Sequence, residues 1–171
     1  GGNGLKGSTN AGDVLSDDGN GADTLNGNPV AINQVNLTVT TPATPINGGF
    51  VPVIDVTTGQ ISIPAGTPAG NYTIVYQICE KLNPTNCDPA IVYITVSAPA
   101  IVAVDNDFSI ECSSSSTLGN VLQNDLLNGS AFSSDKVNIS LISGGNANIN
   151  LDTTTGDISV INNGLTVGQY T

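Results

Sequence analysis

Residues 72–79 read Tyr-Thr-Ile-Val-Tyr-Gln-Ile-Cys, with a large apolar side chain at every second position. A period of two places Tyr72, Ile74, Tyr76 and Ile78 on one face of a β-strand and the intervening residues on the other. The same alternation occurs in residues 35–40, 92–96 and 137–141, whereas no segment shows the apolar stripe of a helix. The sequence therefore predicts an all-β protein.

Turn-forming residues separate these strands at short intervals, as in Asn47-Gly48-Gly49, Pro64-Ala65-Gly66 and Asn162-Asn163-Gly164. Glycine and asparagine tolerate the positive φ angles of tight turns, and proline fixes φ at a value that turns use. Short strands between frequent turns are typical of an antiparallel β-sandwich of immunoglobulin-like type. We expect that architecture here.

The chain also contains an internal repeat. Four segments return in the same order: residues 12–18, 35–37, 57–63 and 70–73 as residues 119–125, 137–139, 154–160 and 168–171. The offsets are close to 100 residues, the length of a small domain. Because Pro99 follows a strand and ends its pairing, we expect tandem repeats at residues 1–98 and 99–171. The first is expected to lack an N-terminal strand, and the second to be truncated in its C-terminal part.

Composition excludes several classes of function. The net charge is −11, with 14 acidic residues against three lysines and no arginine. Nucleic-acid binding requires a basic surface, so no nucleic-acid partner is expected. No apolar segment approaches the roughly 20 residues that span a bilayer, so no direct membrane insertion is expected either.

Catalytic options are few. The chain contains no histidine, which rules out histidine-dependent triads within it. A paired-carboxylate site repeated in each unit would need matching acids, but Asp13 and Asp17 correspond to Asn120 and Asn124. We therefore expect no enzymatic activity.

Three cysteines are present. Cys79 and Cys87 flank a loop of residues 80–86 between two strongly β-forming segments, which favours a disulfide joining the two strand ends. Two reduced thiols are the alternative. Cys112 is left over; it either pairs outside these residues or packs as a small buried side chain.

Acidic residues form two groups, and calcium is the one cofactor that they favour. Asp17 and Asp23 lie in one Gly/Asn-rich loop, and Asp105 and Asp107 lie just beyond the expected domain boundary. Hard cations bind several oxygen ligands on flexible loops, so these four residues are the candidate calcium ligands. The alternative interpretation, which we favour, is that Asp and Asn side chains cap turns in a solvated loop, and no cofactor is then expected.

Residues 121–129, VLQNDLLNG, resemble the opening of repeats in large surface proteins of Bacteroidota. Residues 58–73, TGQISIPAGTPAGNYT, and the cysteine-flanked hairpin of residues 76–90 are similar to later segments of those repeats. The resemblance implies extracellular, disulfide-linked repeats of filamentous adhesins exported by the type IX secretion system, including those of gliding motility. It implies no catalytic residues. Thr24 and Thr153 resemble the short Asp-Thr O-glycosylation signal of these bacteria.

The expected function is a structural segment of a repeat adhesin or surface filament, a stiff spacer for cell-surface adhesion or gliding motility. Neighbouring repeats are the expected partners, together with surface glycans or other cells. Two alternatives remain: a strand-exchanging subunit of a polymeric fibre, and an accessory carbohydrate-binding module of a secreted enzyme.

Overall fold

The computed structural model describes residues 2–111, 117–161 and 165–171. These residues form strands, turns and one 3-10 helix, Ser134–Lys136, which confirms the all-β prediction. The chain divides into a first unit, Gly1–Pro99, and a second unit, Ala100–Thr171. The strands of the first unit are β1 Gly2–Asn3, β2 Ser8–Asp13, β3 Thr24–Leu25, β4 Asn28–Pro29, β5 Val35–Thr41, β6 Val53–Ile54, β7 Gln60–Ile63, β8 Gly70–Glu80 and β9 Cys87–Ser97. Those of the second unit are β10 Ile101–Val102, β11 Thr117–Asn120, β12 Leu126–Leu127, β13 Ile149–Leu151 and β14 Asp157–Val160.

Two sheets build most of the first unit. One has the strand order β1–β9–β8–β5, in which β1 runs parallel to β9 and the other pairs are antiparallel. The second sheet has the antiparallel order β2–β7–β6. The orders β5–β8–β9 and β2–β7–β6 correspond to strands C–F–G and B–E–D of immunoglobulin-like sandwiches. A short hairpin, β3–β4, turns at Asn26-Gly27, where both residues have positive φ.

The core of the first unit lies between the two sheets. On β8 the predicted inward face is buried, with Tyr72, Ile74 and Tyr76 only 1–4% exposed. Side chains of β5, β7 and β9 complete the same apolar cluster. The opposite face of β9 is open to solvent, because Tyr93 is 77% exposed. The alternation in the sequence thus identifies which side of each strand is buried.

The second unit contains a three-stranded sheet, β11–β14–β13, and a two-stranded sheet, β10–β12. Ile158 and Val160 lie on β14, as their match to Ile61 and Ile63 of β7 predicts.

One strand prediction for the second unit is wrong. Residues 137–141 match β5 in sequence, but they form no strand. In the first unit β5 is hydrogen-bonded along its length to β8. Residues 137–141 take part in no sheet, and without the hydrogen bonds of a neighbouring strand the alternating pattern alone does not form a strand.

The two units also differ in burial. Val160 is 3% exposed, like its counterpart Ile63 at 2%, and it is the one fully buried apolar side chain in the described part of the second unit. Five other core positions are buried in the first unit but only half-buried in the second. The buried residues are Val14, Leu15, Val35, Leu37 and Ile61, and their half-buried counterparts are, in the same order, Val121, Leu122, Val137, Ile139 and Ile158. The second unit therefore keeps the frame of the first without its closed core.

Candidate functional site

The β8–β9 hairpin ends in a disulfide between Cys79 and Cys87, which are directly opposite each other. Their Cα atoms lie 4.1 Å apart. Beyond them, the amide of Glu80 donates to the carbonyl of Asn86 at 3.0 Å. Since hydrogen-bonded and non-hydrogen-bonded pairs alternate in antiparallel strands, the cysteines form a non-hydrogen-bonded pair, where opposite side chains lie closest. The disulfide thus closes the loop of residues 80–86.

This hairpin loop is attached to the segment that precedes β5. The amide of Lys81 donates to the carbonyl of Gln34 at 3.0 Å. The Lys81 ammonium group donates to the carbonyls of Ile32 and Asn33 at 3.1 Å each. Leu82, next along the loop, is 88% exposed. The disulfide end of the first unit therefore combines a covalently closed, anchored loop with an exposed apolar side chain.

A tyrosine at the start of β8 makes a hydrogen bond that the sequence analysis did not predict. The hydroxyl of Tyr72 donates to the carbonyl of Pro68 at 2.8 Å. The hydroxyl of Tyr170 donates in the same way to the carbonyl of Thr166, four residues upstream, also at 2.8 Å. A tyrosine at the start of strand F that bonds upstream backbone is a hallmark of immunoglobulin-like sandwiches. The signal was present in the sequence, because Gly70–Thr73 matches residues 168–171.

Tyr76 is a second tyrosine of β8 whose hydroxyl group is hydrogen-bonded. Its hydroxyl oxygen lies 2.8 Å from Oδ2 of Asp23 and 3.1 Å from the carbonyl oxygen of Val14. Burial and the adjacent Asp23 carboxylate raise the pKa of Tyr76 well above its ordinary value. A tyrosine on a buried face needs a hydrogen-bond partner for its hydroxyl group. From this requirement, a contact between Tyr76 and the loop that contains Asp23 could have been predicted.

The turn before β7 and the turn before β14 share a hydrogen bond from a threonine amide to an aspartate side chain. The Asp55 carboxylate accepts the amide of Thr57 at 2.8 Å, and the Asp152 carboxylate accepts the amide of Thr154 at 2.8 Å. Bonds from the Thr57 side chain and amide lower the pKa of Asp55. Bonds from the amides of Thr154 and Thr155 lower the pKa of Asp152. The two carboxylates therefore act as turn caps.

Both turns lead to a glycine that bonds across to the neighbouring strand. The amide of Val14 donates to the carbonyl of Gly59 at 2.9 Å, and the amide of Val121 donates to the carbonyl of Gly156 at 2.9 Å. The two glycines have φ angles of 84° and 86°, in the left-handed region that disfavours other residues. The repeated glycine is thus explained by backbone geometry.

The Asp-to-Asn change between the repeats preserves a structural bond. Asp13 Oδ1 accepts the amide of Leu15 at 2.9 Å, and Asn120 Oδ1 accepts the amide of Leu122 at 2.9 Å. Either side chain supplies the required acceptor oxygen, so the turn needs no negative charge.

The candidate calcium ligands of the first unit bond to different parts of the chain. Asp17 Oδ1 accepts the amides of Gly19 and Gly21 at 2.9 and 3.0 Å, bonds that lower its pKa. Asp23 instead accepts the Tyr76 hydroxyl. The loop geometry therefore matches the turn-capping alternative at Asp17, and calcium binding at these residues stays a prediction.

The candidate ligands of the second unit, Asp105 and Asp107, are both exposed. The Asp105 carbonyl accepts Nδ2 of Asn124 at 3.0 Å. Across residues 2–111, 117–161 and 165–171, no group of three or more Asp, Glu, His or Cys side chains is placed to hold a metal ion.

The predicted glycosylation sites are accessible. Thr24 begins β3 and Thr153 follows Asp152 in its turn, and both threonines are exposed. Their modification stays a prediction. Cys112 lies outside the described residues.

Comparisons with known proteins identify no relative: no protein family, no curated protein and no solved structure matches the chain. Within the described residues, no helix has the length and apolar character needed to cross a membrane.

Proposed function

We propose that this chain is a structural segment of an extracellular repeat adhesin or surface filament, in which each immunoglobulin-like unit acts as a spacer. The observation that carries the proposal is the duplicated frame. The bond from Val14 to Gly59 recurs from Val121 to Gly156, and the Tyr72 corner recurs at Tyr170. What is repeated is a set of bonds that hold turns and strands, which suits a protein whose units supply length.

The disulfide supports an extracellular location. Structural disulfides persist in oxidising compartments and are rare in the reducing cytosol. Cys79 and Cys87 close the end of the longest hairpin of the first unit, where the bond is structural. The resemblance to Bacteroidota surface repeats supports the same location and adds export by the type IX system and gliding motility as the proposed setting.

Neighbouring repeats are the proposed partners of the spacer, and the contact with surface glycans or other cells is assigned to variable loops or to other domains of the array. Calcium at the acidic residues and O-glycosylation at Thr24 and Thr153 remain part of this proposal. It includes no catalytic step.

Antibody labelling of the producing cells tests the location. An antibody raised against the purified chain is expected to label intact cells as strongly as permeabilised ones, while an antibody against a cytosolic protein labels only permeabilised cells. Labelling that appears only after permeabilisation would refute the proposal.

Glycan binding by the purified chain separates the spacer from the carbohydrate-binding alternative. A spacer segment is expected to bind no immobilised polysaccharide at micromolar concentration. Specific binding that is lost in Tyr93→Ala, but retained in a variant of an exposed residue on another surface such as Leu82→Ala, would favour the carbohydrate-binding module.

A further inference from the structure

The strand β5 lies at one end of the larger sheet of the first unit, so only one of its two sides is paired, with β8. The other described strands at sheet ends in this unit are short or irregular: β1, β3, β4 and β6 have two residues each, and the register of β2 shifts between Ser8 and Gly12. Such features protect a sheet edge from pairing with another chain. In contrast, β5 has seven residues, and its register shifts only beyond Val39. Residues 35–39 therefore form a regular, open edge.

Alternate residues of β5 direct their peptide groups to this open side. The amide of Lys81 donates to the carbonyl of Gln34 at 3.0 Å, so these two residues form a hydrogen-bonded pair. Hydrogen-bonded and non-hydrogen-bonded pairs alternate along antiparallel strands. The residues whose N–H and C=O groups point away from β8 are therefore Val35, Leu37 and Val39.

The spacing of these residues allows two copies of β5 to pair with each other. In an antiparallel arrangement centred on Leu37, the two Leu37 residues lie opposite each other, and Val35 of each copy lies opposite Val39 of the other. Each opposed pair can exchange both of its N–H···O bonds. On the solvent face, the exposed side chains of Asn36 and Thr38 then lie opposite each other, where cross-strand side chains can form hydrogen bonds.

The charge distribution indicates a second copy as the occupant of this edge. The chain has a net charge of −11, so two copies repel each other over much of their surface. Residues 24–54, which include β5, contain no Asp, Glu or Lys. Glu80 and Lys81, which adjoin the first end of β5, have opposite signs. Two copies can therefore meet at β5 without bringing like charges together.

We propose that β5 of the first unit is an interface between two copies of the chain, which join their sheets edge to edge by antiparallel β5–β5 pairing. A contact limited to one strand edge is smaller than a standard protein–protein interface, so the pair is weak and reversible. In an array of repeats, several such contacts would act together and hold neighbouring filaments side by side. That consequence rests on the proposed function, whereas the pairing itself does not.

Sedimentation and amide hydrogen exchange of the whole chain test the pairing. The expected result is a monomer–dimer equilibrium between about 10 µM and about 1 mM protein. As the dimer forms, the amides of Val35, Leu37 and Val39 are expected to become protected from exchange. The amides of Asn36 and Thr38 are expected to be protected at every concentration, because they bond to β8 within one copy.

A charged variant tests whether β5 is the contact. Thr38→Glu adds a carboxylate at an exposed position of β5. In the paired state the two carboxylates are diagonal neighbours, so the dissociation constant of the dimer is expected to rise at least about threefold. Thr73→Glu is the matched control, because it adds the same charge to an exposed position on the same face of β8. Its two carboxylates would be separated by three strand spacings, roughly 14 Å, where salt screens their repulsion.

A complementary pair of variants tests the register. Asn36→Lys places an ammonium group directly opposite Thr38 of the other copy. A mixture of Asn36→Lys with Thr38→Glu is therefore expected to form a mixed dimer more tightly than a mixture of Asn36→Lys with Thr73→Glu, which has the same charges in a different place. Unchanged amide signals of β8 and β9 show that each variant is folded.

Three results would overturn the proposal. The first is a chain that stays monomeric at about 1 mM. The second is a dimer in which the amides of Val35, Leu37 and Val39 stay unprotected, which would place the contact on another surface. The third is equal association in the two mixtures of variants. None of these results bears on the location of the protein, which antibody labelling tests separately.

Discussion

At the scale of single residues, side-chain oxygens of Asp, Asn and Tyr fix the turns. Asp55 and Asp152 cap two matching turns, and Tyr72 and Tyr170 tie matching corners. Composition alone counts Asp55 and Asp152 only as negative charge. The role of each carboxylate depends on which backbone amide lies within hydrogen-bonding distance, and the amino-acid composition does not contain that information.

The Tyr72 corner gives a prediction for a single hydroxyl. Tyr72→Phe keeps the buried ring but leaves the Pro68 carbonyl without its donor, so the free energy of unfolding of the first unit should fall by about 1–2 kcal/mol. Urea unfolding measures this change. Tyr93→Phe is the control, because Tyr93 is 77% exposed and its loss of a hydroxyl should leave the midpoint unchanged. Equal effects of the two variants would contradict a stabilising role of the hydrogen bond from Tyr72 to Pro68.

The lowered pKa of Asp55 predicts a pH dependence. Its hydrogen bonds hold the folded pKa below the ordinary value of 3.8. The stability that it contributes is therefore complete above that value and is lost as the pH falls through the folded pKa. Asp55→Asn should show a smaller drop in melting temperature than the unsubstituted protein between about pH 5 and about pH 2.5.

Removing one negative charge also changes the overall repulsion of a chain with net charge −11. Asp88→Asn removes the same charge from an exposed position of β9. If Asp55→Asn and Asp88→Asn show the same melting temperatures across this pH range, the hydrogen bonds of Asp55 make no specific contribution to the pH dependence of stability.

At the scale of elements, alternation was sufficient for the three long strands of the first unit, β5, β8 and β9. The period of two in residues 72–79 predicted strand β8 and its buried face, because every inward position there is large and apolar. The same signal failed at residues 137–141, where Val137, Ile139 and Leu141 alternate equally well. A strand needs a hydrogen-bonded neighbour as well as a pattern: β5 pairs with β8, whereas residues 137–141 take part in no sheet.

The disulfide prediction belongs to this scale. Closing the loop of residues 80–86 restricts the unfolded chain, so the double variant Cys79→Ser, Cys87→Ser should lose about 2–3 kcal/mol of stability in the first unit. Thermal unfolding with and without a reducing agent measures the loss. The reducing agent should destabilise the unsubstituted protein to the level of the double variant and leave that variant unchanged. A reducing agent that lowers the melting temperature of both equally would show that another bond is responsible.

At the scale of the whole molecule, the account rests on two copies of one frame. The sequence predicted the repeat from four ordered matches, together with a truncated second repeat. In the first unit, long-range pairing closes the core, because β8 supplies hydrogen bonds to β5 and apolar side chains to the buried cluster. Local signals such as Thr-Thr-Gly and Asn-Gly recur in both units because they need no distant partner.

The most direct test measures the duplicated cross-strand bonds by NMR, using scalar couplings transmitted through hydrogen bonds. The account predicts a coupling from the Val14 amide nitrogen to the Gly59 carbonyl carbon, and a matching coupling from Val121 to Gly156. Detection of both would establish the same frame in each unit. A coupling in the first unit together with a different partner for the Val121 amide would contradict the central claim.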